Sequence, residues 1–496
     1  MKYRLMDLLA CPKCAHFPLE LTVLEGERDA AAEVCSAAFG HSSEANEKAG
    51  SAGGCGIYCC ARGHAVVAEG ARRPCAGCYG TEITEGVLRC SGCGREYPII
   101  DGIPRFTPDV QSDYPEFFRK HAGRFRQSSP ADLKKLETLH TRTKRSFGYQ
   151  LLRYRVSDHE ENRQHFYRRT GTQPSTLPGQ LFFEAGCGMG RYLKVIGEQP
   201  GAEVVGLDLS LAVNRARAEN RSNPRVHLIQ GNILELPLRP ECFDHVYSIG
   251  VLHHTPSTEE AFKSIVKLVK PGGRVSIWVY HLWGPPGQRG FKALHARLRG
   301  RVSDTLRLLT TRLPHPVLHY LCYVAAPLGW IQMRIRKLPA PLRLLLLPLT
   351  LLPVSPHPEW RVRLCDTFDW YSPRYQWKHS VEEAAGWFED AGLADISTTG
   401  FAVSVRGRKP APDEQSEGHP GDCPDPDPQI LHFPREAAQA WGAVDRSSDQ
   451  LIGDVGVHGN PIYRVPGVEP GIERGRKRIL NAFGCDADDD RPSTDQ

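Results

Sequence analysis

The sequence lacks a dominant charge: 62 Lys+Arg against 57 Asp+Glu leave +5 over 496 residues. That balance is too even for electrostatics alone to announce a nucleic-acid-binding protein. A secretion leader is lacking too, since MKYRLMDLLACPKC has no apolar core followed by a small-residue cleavage site, so cytoplasm is the expected compartment. No apolar run is a clean span: VLHYLCYVAAPLGWIQM (317–333) is interrupted by Pro327, and LRLLLLPLTLLP (342–353) holds Arg343 and Pro348. No internal repeat and no obvious constellation of nucleophile, base and orienting acid stands out. What is present is a 40% hydrophobic chain long enough for about three domains, which excludes a disulfide-stapled miniprotein. Ten of the sixteen cysteines precede residue 94, several as C-x-x-C pairs, a pattern of metal ligation in a reducing compartment.

Composition separates four regions. Residues 1–108 are rich in Cys, Gly and Ala; 109–178 form a polar, basic block with helical periodicity at Leu133, Leu136 and Leu139, expected to be a helical connector. From 179 to 408, short apolar runs alternate with helical stretches, which predicts βαβ units on a parallel sheet, with an apolar insertion at 282–365. Beyond residue 409, PAPDEQSEGHPGDCPDPDP is too poor in apolar residues to offset the entropy of ordering, so 409–496 is expected to be largely disordered, with 431–444 able to form a short docked helix.

LFFEAGCGMGRYLKVI (181–196) predicts a strand, a Gly-rich turn and a helix whose unpaired N–H groups can meet a polar ligand. EVVGLDLS (203–210) predicts a second strand ending in Asp208, where a carboxylate can accept both hydroxyls of a ribose. VHLIQGNILELPL (226–238) gives a third, ending at Asn232, and FDHVYSIGVLHHTP (243–256) a fourth. Polar residues at successive strand ends belong to the ligand crevice of an open α/β sheet. The turn reads G-x-G-x-G rather than G-x-G-x-x-G, and Glu184 stands just before it, so an anionic pyrophosphate fits poorly and a cationic nucleoside fits better.

EAGCGMG, GLDLS, GNILELPL, FDHVYSIGVLHH and LVKPGGRVSIWVY resemble the successive motifs of class I S-adenosylmethionine-dependent methyltransferases of the small-molecule type. The resemblance implies a Rossmann-like α/β fold with a seven-stranded, mainly parallel sheet and helices on both faces, and S-adenosylmethionine as cofactor. It places Glu184, Gly186, Cys187, Gly188 and Gly190 around the methionine moiety, Asp208 and Leu209 at the ribose, Asn232 and Ile233 beside the adenine, and Ile249 at the neighbouring strand end. Asn232 departs from the Asp common at that position. Methyl transfer is an in-line displacement in which positioning does most of the work, so a base is needed only when the acceptor holds a proton at neutral pH. His253 is the candidate base, with His254 beside it. The insertion is expected to roof the acceptor pocket, with Asp369, Tyr371 and Tyr375 of DTFDWYSPRYQWKHS (366–380) as candidate substrate contacts. The segment 313–354 could be an interfacial hairpin over a lipid-like acceptor, giving peripheral membrane contact, or a buried helical cap.

LLACPKCAHFPLEL (8–21) and GVLRCSGCGREYPIIDGIPRF (86–106) resemble the two halves of the Trm112-like zinc-ribbon family. On that resemblance Cys11, Cys14, Cys90 and Cys93 hold one zinc. The intervening insertion leaves alternatives: Cys75 and Cys78 with Cys90 and Cys93 also form paired knuckles, and Cys11 and Cys14 could join Cys59, Cys60 or His64. The ribbon reads as a scaffold or substrate-presenting module in cis. The alternative function is an RNA or protein methyltransferase using the ribbon for docking, with the basic residues of the connector touching phosphate; a catalytically inert binding platform is a third reading.

Overall fold

The computed structural model of the chain describes residues 1–27, 58–59, 64–65, 76–125, 130–154, 159–282, 290–400 and 403–412. Cys60 and Cys75, expected as alternative metal ligands, and the tail helix expected at 431–444 lie outside the described residues.

Two sheets carry the architecture. The smaller is antiparallel, with β1 (Glu20–Glu27), β4 (Glu82–Arg89), β5 (Glu96–Ile100) and β6 (Ile103–Pro104) side by side. A two-residue hairpin, β2 (Tyr58–Cys59) and β3 (His64–Ala65), lies between β1 and β4 in the chain. The larger sheet holds β7 (Leu181–Ala185), β8 (Glu203–Asp208), β9 (Val226–Gln230), β10 (Phe243–Ile249), β11 (Val269–Trp278), β12 (Ala394–Thr398) and β13 (Ser404–Arg408) in the order β12-β13-β11-β10-β7-β8-β9. Five of these strands run parallel, and β13 joins β11 and β12 antiparallel. The expected seven-stranded, mainly parallel sheet is present. Strand order reverses between β7 and β10, and their carboxyl ends open the crevice that such a reversal creates.

Local chemistry explains the elements. β7 reads LFFEA and is buried throughout, as a strand covered on both faces must be. Helix α5 (Thr258–Val266) starts at Ser257, whose hydroxyl accepts the Glu260 N–H, and α11 (Val381–Asp390) starts at Ser380, which accepts from Glu383 N–H; both are S-x-x-E capping sequences. The polar block contributes α1 (Pro130–Arg153) and α2 (His159–Thr170), followed after β7 by α3 (Arg191–Gly197) and after β8 by α4 (Ala212–Asn220). The insertion folds as α6 (Phe291–Thr310), α7 (His315–Arg336), α8 (Ala340–Leu345), α9 (Leu347–Leu351) and α10 (Trp360–Tyr371). The stretch 366–380, expected to supply substrate contacts, is thus helical over its first six residues: α10 carries Asp366 and Asp369.

The two sheets share one apolar core. Met1, Leu5, Met6, Leu8 and Leu9 pack in the same buried cluster as Phe183, Val205 and Ile229. Backbone pairing adds to this: Ala10 N–H donates to Pro237 O at 3.0 Å, Arg239 N–H to Leu8 O at 2.9 Å, and Phe106 N–H to Gln230 O at 2.8 Å. Arg105 bridges Gln230 in parallel, so the amino-terminal module covers the edge strand β9 that would otherwise present unpaired backbone groups.

Candidate functional site

The Gly-rich turn after β7 is fixed from two sides. Gly186 has φ +85°, and a Cβ there would strike the side chain of Val251. Gly190, φ +80°, begins α3; a Cβ there would lie 2.9 Å from that of Ala216 on α4, so this glycine serves helix packing and does not line the cleft. Gly186 N–H and Cys187 N–H both donate to Leu207 O, at 2.7 and 3.0 Å, which ties the turn to β8. The Cys187 thiol is buried, and burial holds its pKa well above the usual range, so it acts as a neutral packing group.

Two carboxylates flank the turn. Glu184, 2% exposed, accepts from the Tyr247 hydroxyl at 3.2 Å. Burial pushes its carboxyl up to about 8, against the Tyr247 hydrogen bond and the charge of Arg191. Asp208 accepts from Gly188 N–H at 2.8 Å and from the N–H and hydroxyl of Ser210, both at 2.7 Å. Burial raises its pKa, and those three bonds oppose the rise. A carboxylate accepts about four hydrogen bonds, so Asp208 retains capacity beyond its role in the turn. One buried and one half-buried acid beside the start of a helix suit a cation and disfavour pyrophosphate, and the residues present fit a sulfonium nucleoside.

Leu209, Asn232, Ile233 and Ile249 line the same cleft with Glu184, Gly186, Cys187, Gly188 and Asp208. Asn232 Oδ1 accepts the Leu234 N–H at 3.0 Å, which closes a local turn and leaves its second lone pair as an acceptor. The opposite wall was not foreseen as part of a site: Thr143, Lys144, Phe147, Gln150, Leu151 and Tyr154 come from α1 and the residue after it. Their spacing of three and four is a single helical face, and that periodicity was the available signal. Lys144 itself is bound to Asp109 at 2.6 Å and to Asp113, and Arg142 reaches the carbonyls of Ser372 and Thr310, so these two connector cations are engaged inside the molecule.

The acceptor side differs from expectation. His254, not His253, lines the cleft. His253 is fully buried behind it, its ring 3.9 Å from that of Tyr280, because the short turn after β10 packs the first histidine into the sheet. His254 Nδ1 donates to Tyr375 O at 2.8 Å; a carbonyl only accepts, so the proton sits on Nδ1 and Nε2 is left as an acceptor without a partner among the described residues. Burial lowers the His254 pKa, against the nearby Asp369 and the Tyr375 carbonyl, so the ring is neutral at pH 7. Asp369 lines the cleft and accepts from the Tyr280 hydroxyl at 2.5 Å. Tyr371 does not reach it: its hydroxyl donates to Pro353 O at 2.8 Å inside the helical insertion. Tyr375 contributes its carbonyl to His254, while its ring stacks with Trp377.

A second centre lies in the smaller sheet. The sulfurs of Cys11, Cys14, Cys90 and Cys93 all lie within 4.8 Å of one another, with Cys11–Cys93 at 3.6 Å and Cys14–Cys90 at 3.5 Å. Four thiolates about 2.3 Å from one tetrahedral zinc would be separated by roughly 3.8 Å, so the set fits zinc. The antiparallel register Glu20↔Arg89 brings the two knuckles together. Cys78 is buried on the short helix Ala76–Gly80 and takes no part in the cluster, which corrects the alternative ligand pairing.

Comparisons with known proteins agree with both centres. A family model described as methyltransferase domain matches residues 183–277, and one described as Trm112p-like protein matches residues 2–102. The 24-methylenesterol C-methyltransferase 2 of Oryza sativa subsp. japonica is 34% identical over 137 residues, 26% of this chain and 38% of that protein. The probable tRNA methyltransferase 9B of Mus musculus is 33% identical over 108 residues, 21% of this chain and 22% of that protein. The chain therefore spans well under half of these relatives. A solved complex of the Haloferax volcanii Trm112 methyltransferase activator with a methyltransferase aligns at 20% identity and TM-score 0.25, covering 30% of this chain and 63% of that one.

Proposed function

We propose that this chain, which carries a methyltransferase domain beside a Trm112p-like zinc module, transfers a methyl group from S-adenosylmethionine to a small or lipid-like acceptor in the cleft between β7, β10, α1 and α10. The observation that carries this reading is the pair of carboxylates, the buried Glu184 and the half-buried Asp208, on either side of a glycine turn at the strand-order reversal. Bound there, the cofactor supplies a methyl carbon on a sulfonium, and the electrons of the broken C–S bond stay on sulfur. Glu184 would face the cationic end, Asp208 the ribose hydroxyls, and Asn232 with Ile233 the adenine. His254 Nε2 is the group able to take the proton that a hydroxyl or ammonium acceptor gives up, and Tyr375 O and the edge-on ring of Phe147, 5.0 Å away, hold the imidazole in that orientation.

The lining of Phe147, Leu151, Tyr154, Ile233, Ile249 and Val251 favours an acceptor with an apolar body and one polar handle near His254 and Asp369. Docking of an RNA or protein acceptor on the zinc module is the second reading, supported by the Trm112p-like match and by the similarity to the probable tRNA methyltransferase 9B of Mus musculus. The test is transfer of labelled methyl from S-adenosylmethionine to fractionated lipid, small-molecule, RNA and protein acceptors. Label in the organic-soluble fraction that His254→Gln reduces by roughly 100-fold in kcat, with cofactor affinity unchanged, is the expected result. Label confined to RNA or protein refutes the acceptor class, and absence of cofactor binding in calorimetry refutes the reading as a whole.

A further inference from the structure

Residues 291–354 carry ten Lys and Arg against the single acid Asp304, so this segment is strongly cationic although the charges of the remaining residues sum to a net negative value. The same helices hold most of the large apolar side chains that the structure leaves exposed. Helix α7 buries a stripe of Leu318, Cys322, Ala326, Gly329, Gln332 and Ile335 against its neighbours. Its opposite face is apolar as well: Tyr320 is 67% exposed, Val324 60%, Tyr323 52% and Trp330 48%. A helix apolar all round belongs in a core or in lipid, yet among the described residues nothing covers this outer face. Leu344 and Leu345 on α8 are 58% and 75% exposed, and Leu308 and Leu309 on α6 are 64% and 62% exposed. Among the described residues no helix is long and apolar enough to cross a membrane.

We propose that this helical unit seats on an anionic lipid surface, with the aromatic and leucine side chains entering the headgroup region and the surrounding cations meeting lipid phosphates. Arg334 lies over the Trp330 ring at 4.8 Å, which places a cation beside an amphipathic aromatic, and Arg336, Lys337 and Arg343 are exposed nearby in the chain. Apolar burial together with several cations is the combination that gives stable interfacial attachment, and a patch of either kind alone does not. The charge also selects among occupants. A second copy of this chain would set two strongly cationic faces against each other, whereas an anionic bilayer satisfies both the charge and the apolar area. The unit packs on α10, which carries Cys365 and Asp369 into the cleft, so the lipid-facing helices and the acceptor wall are one body.

The test is flotation of the full chain with vesicles of phosphatidylcholine, or of phosphatidylcholine with one third phosphatidylglycerol, without cofactor, so that the outcome is independent of methyl transfer. Two variants accompany it: Leu344→Ser with Leu345→Ser, and Arg334→Ala with Arg336→Ala and Lys337→Ala. The expected result is flotation with the anionic vesicles, weakened by high salt, with partitioning reduced roughly 100-fold in the triple variant while S-adenosylmethionine binding is kept. Wild-type protein that stays at the bottom of the gradient with both vesicle types overturns the proposal. So does a wild-type dimer in sedimentation that the leucine variant makes monomeric without changing flotation.

Discussion

The two additions to the large sheet, the cysteine module and the helices between Phe291 and Tyr371, are attached by opposite means. The module inserts its charges into the interior: Arg4, 4% exposed, donates to Glu203 at 3.0 Å, and Glu203 also accepts from His227 at 2.8 Å and from the Tyr79 hydroxyl at 3.1 Å. Arg105 is wholly buried, bonded to Gln230 Oε1 at 2.9 Å and Asn214 Oδ1 at 2.8 Å. The helical unit instead is braced from within by arginines that donate to its own carbonyls, Arg299 to those of Thr350 and Val354 and Arg307 to those of Trp370 and the adjoining Pro373, and is joined to α1 by Arg142, which donates to Thr310 O and Ser372 O, while many of its apolar residues face outward. Buried ion pairs fix one geometry at high cost when broken; carbonyl contacts and exposed leucines leave a surface that is stable without demanding a protein partner. The contrast separates a region built into the fold from one built for contact.

The strongest way to break this comparison is to remove the metal. If the module shares the sheet's core, Cys90→Ser or zinc chelation lowers the stability of the whole, not of the first hundred residues only. A loss of about 5 kcal/mol, small beside the roughly 10–16 kcal/mol of structural zinc sites, moves Tm by about 6 °C in one transition of this size. Calorimetry that resolves an early melt of the module, with the sheet unmoved, would show two independent units.

Next in size is Arg4→Met, which strands Glu203 and costs about 3–5 kcal/mol in denaturant unfolding. Glu203 gives a pH signature as well. Burial acts to raise its pKa, but the His227 hydrogen bond and the Arg4 guanidinium override it and hold the carboxyl at about 2. A depressed folded pKa contributes stability fully present above the ordinary carboxylate range and lost as pH falls from about 5 towards 2. Acid unfolding of wild type therefore steepens across that window, and Glu203→Gln flattens it.

The cleft between the two regions gives a third effect, on ligand affinity rather than stability. Because burial holds Glu184 up at about 8, it is mostly protonated near neutrality in the free protein, and a cationic ligand selects the ionised form. Affinity for S-adenosylmethionine then rises with pH, by roughly 20-fold between about pH 6 and about pH 7.5, with proton release on binding. Glu184→Gln binds more weakly and without that slope. Titration calorimetry in buffers of different ionisation enthalpy reads both.

The comparison also explains what could be read from the sequence. Strands β7 to β10 were legible because each is a local apolar run ending in Gly, Asp or Asn, and local pattern suffices for an element buried on both faces. The part of the cleft that those strand ends line followed from the same pattern. The ligand set of the zinc centre came from the Trm112-like resemblance, which named Cys11, Cys14, Cys90 and Cys93; spacing alone left it open, because C-x-x-C pairs are interchangeable until the pairing of β1 with β4 brings those four together. The acceptor half depends on packing between residues far apart in the chain, Phe147 against His254 and Tyr280 against Asp369, and no spacing encodes that. Arg4 and Arg105 were unreadable for the opposite reason: sequence statistics place arginine at the surface, and only the partner on the other module licenses its burial.

The smallest expected effect sharpens the comparison most. Leu5 and Leu9 in the module are 1% and 0% exposed, and truncating either to Ala should cost about 2–5 kcal/mol, since each leaves a cavity in the shared core. Leu344→Ser with Leu345→Ser removes as much apolar surface from side chains already in water, so unfolding in denaturant should shift by less than about 0.5 kcal/mol. A residue type that the folded chain does not need for its own stability, kept in that density on a cationic helical unit, is then explained by what lies outside the chain. A large destabilisation by the leucine pair would instead make the outer face part of the protein's own packing and erase the distinction between the two additions.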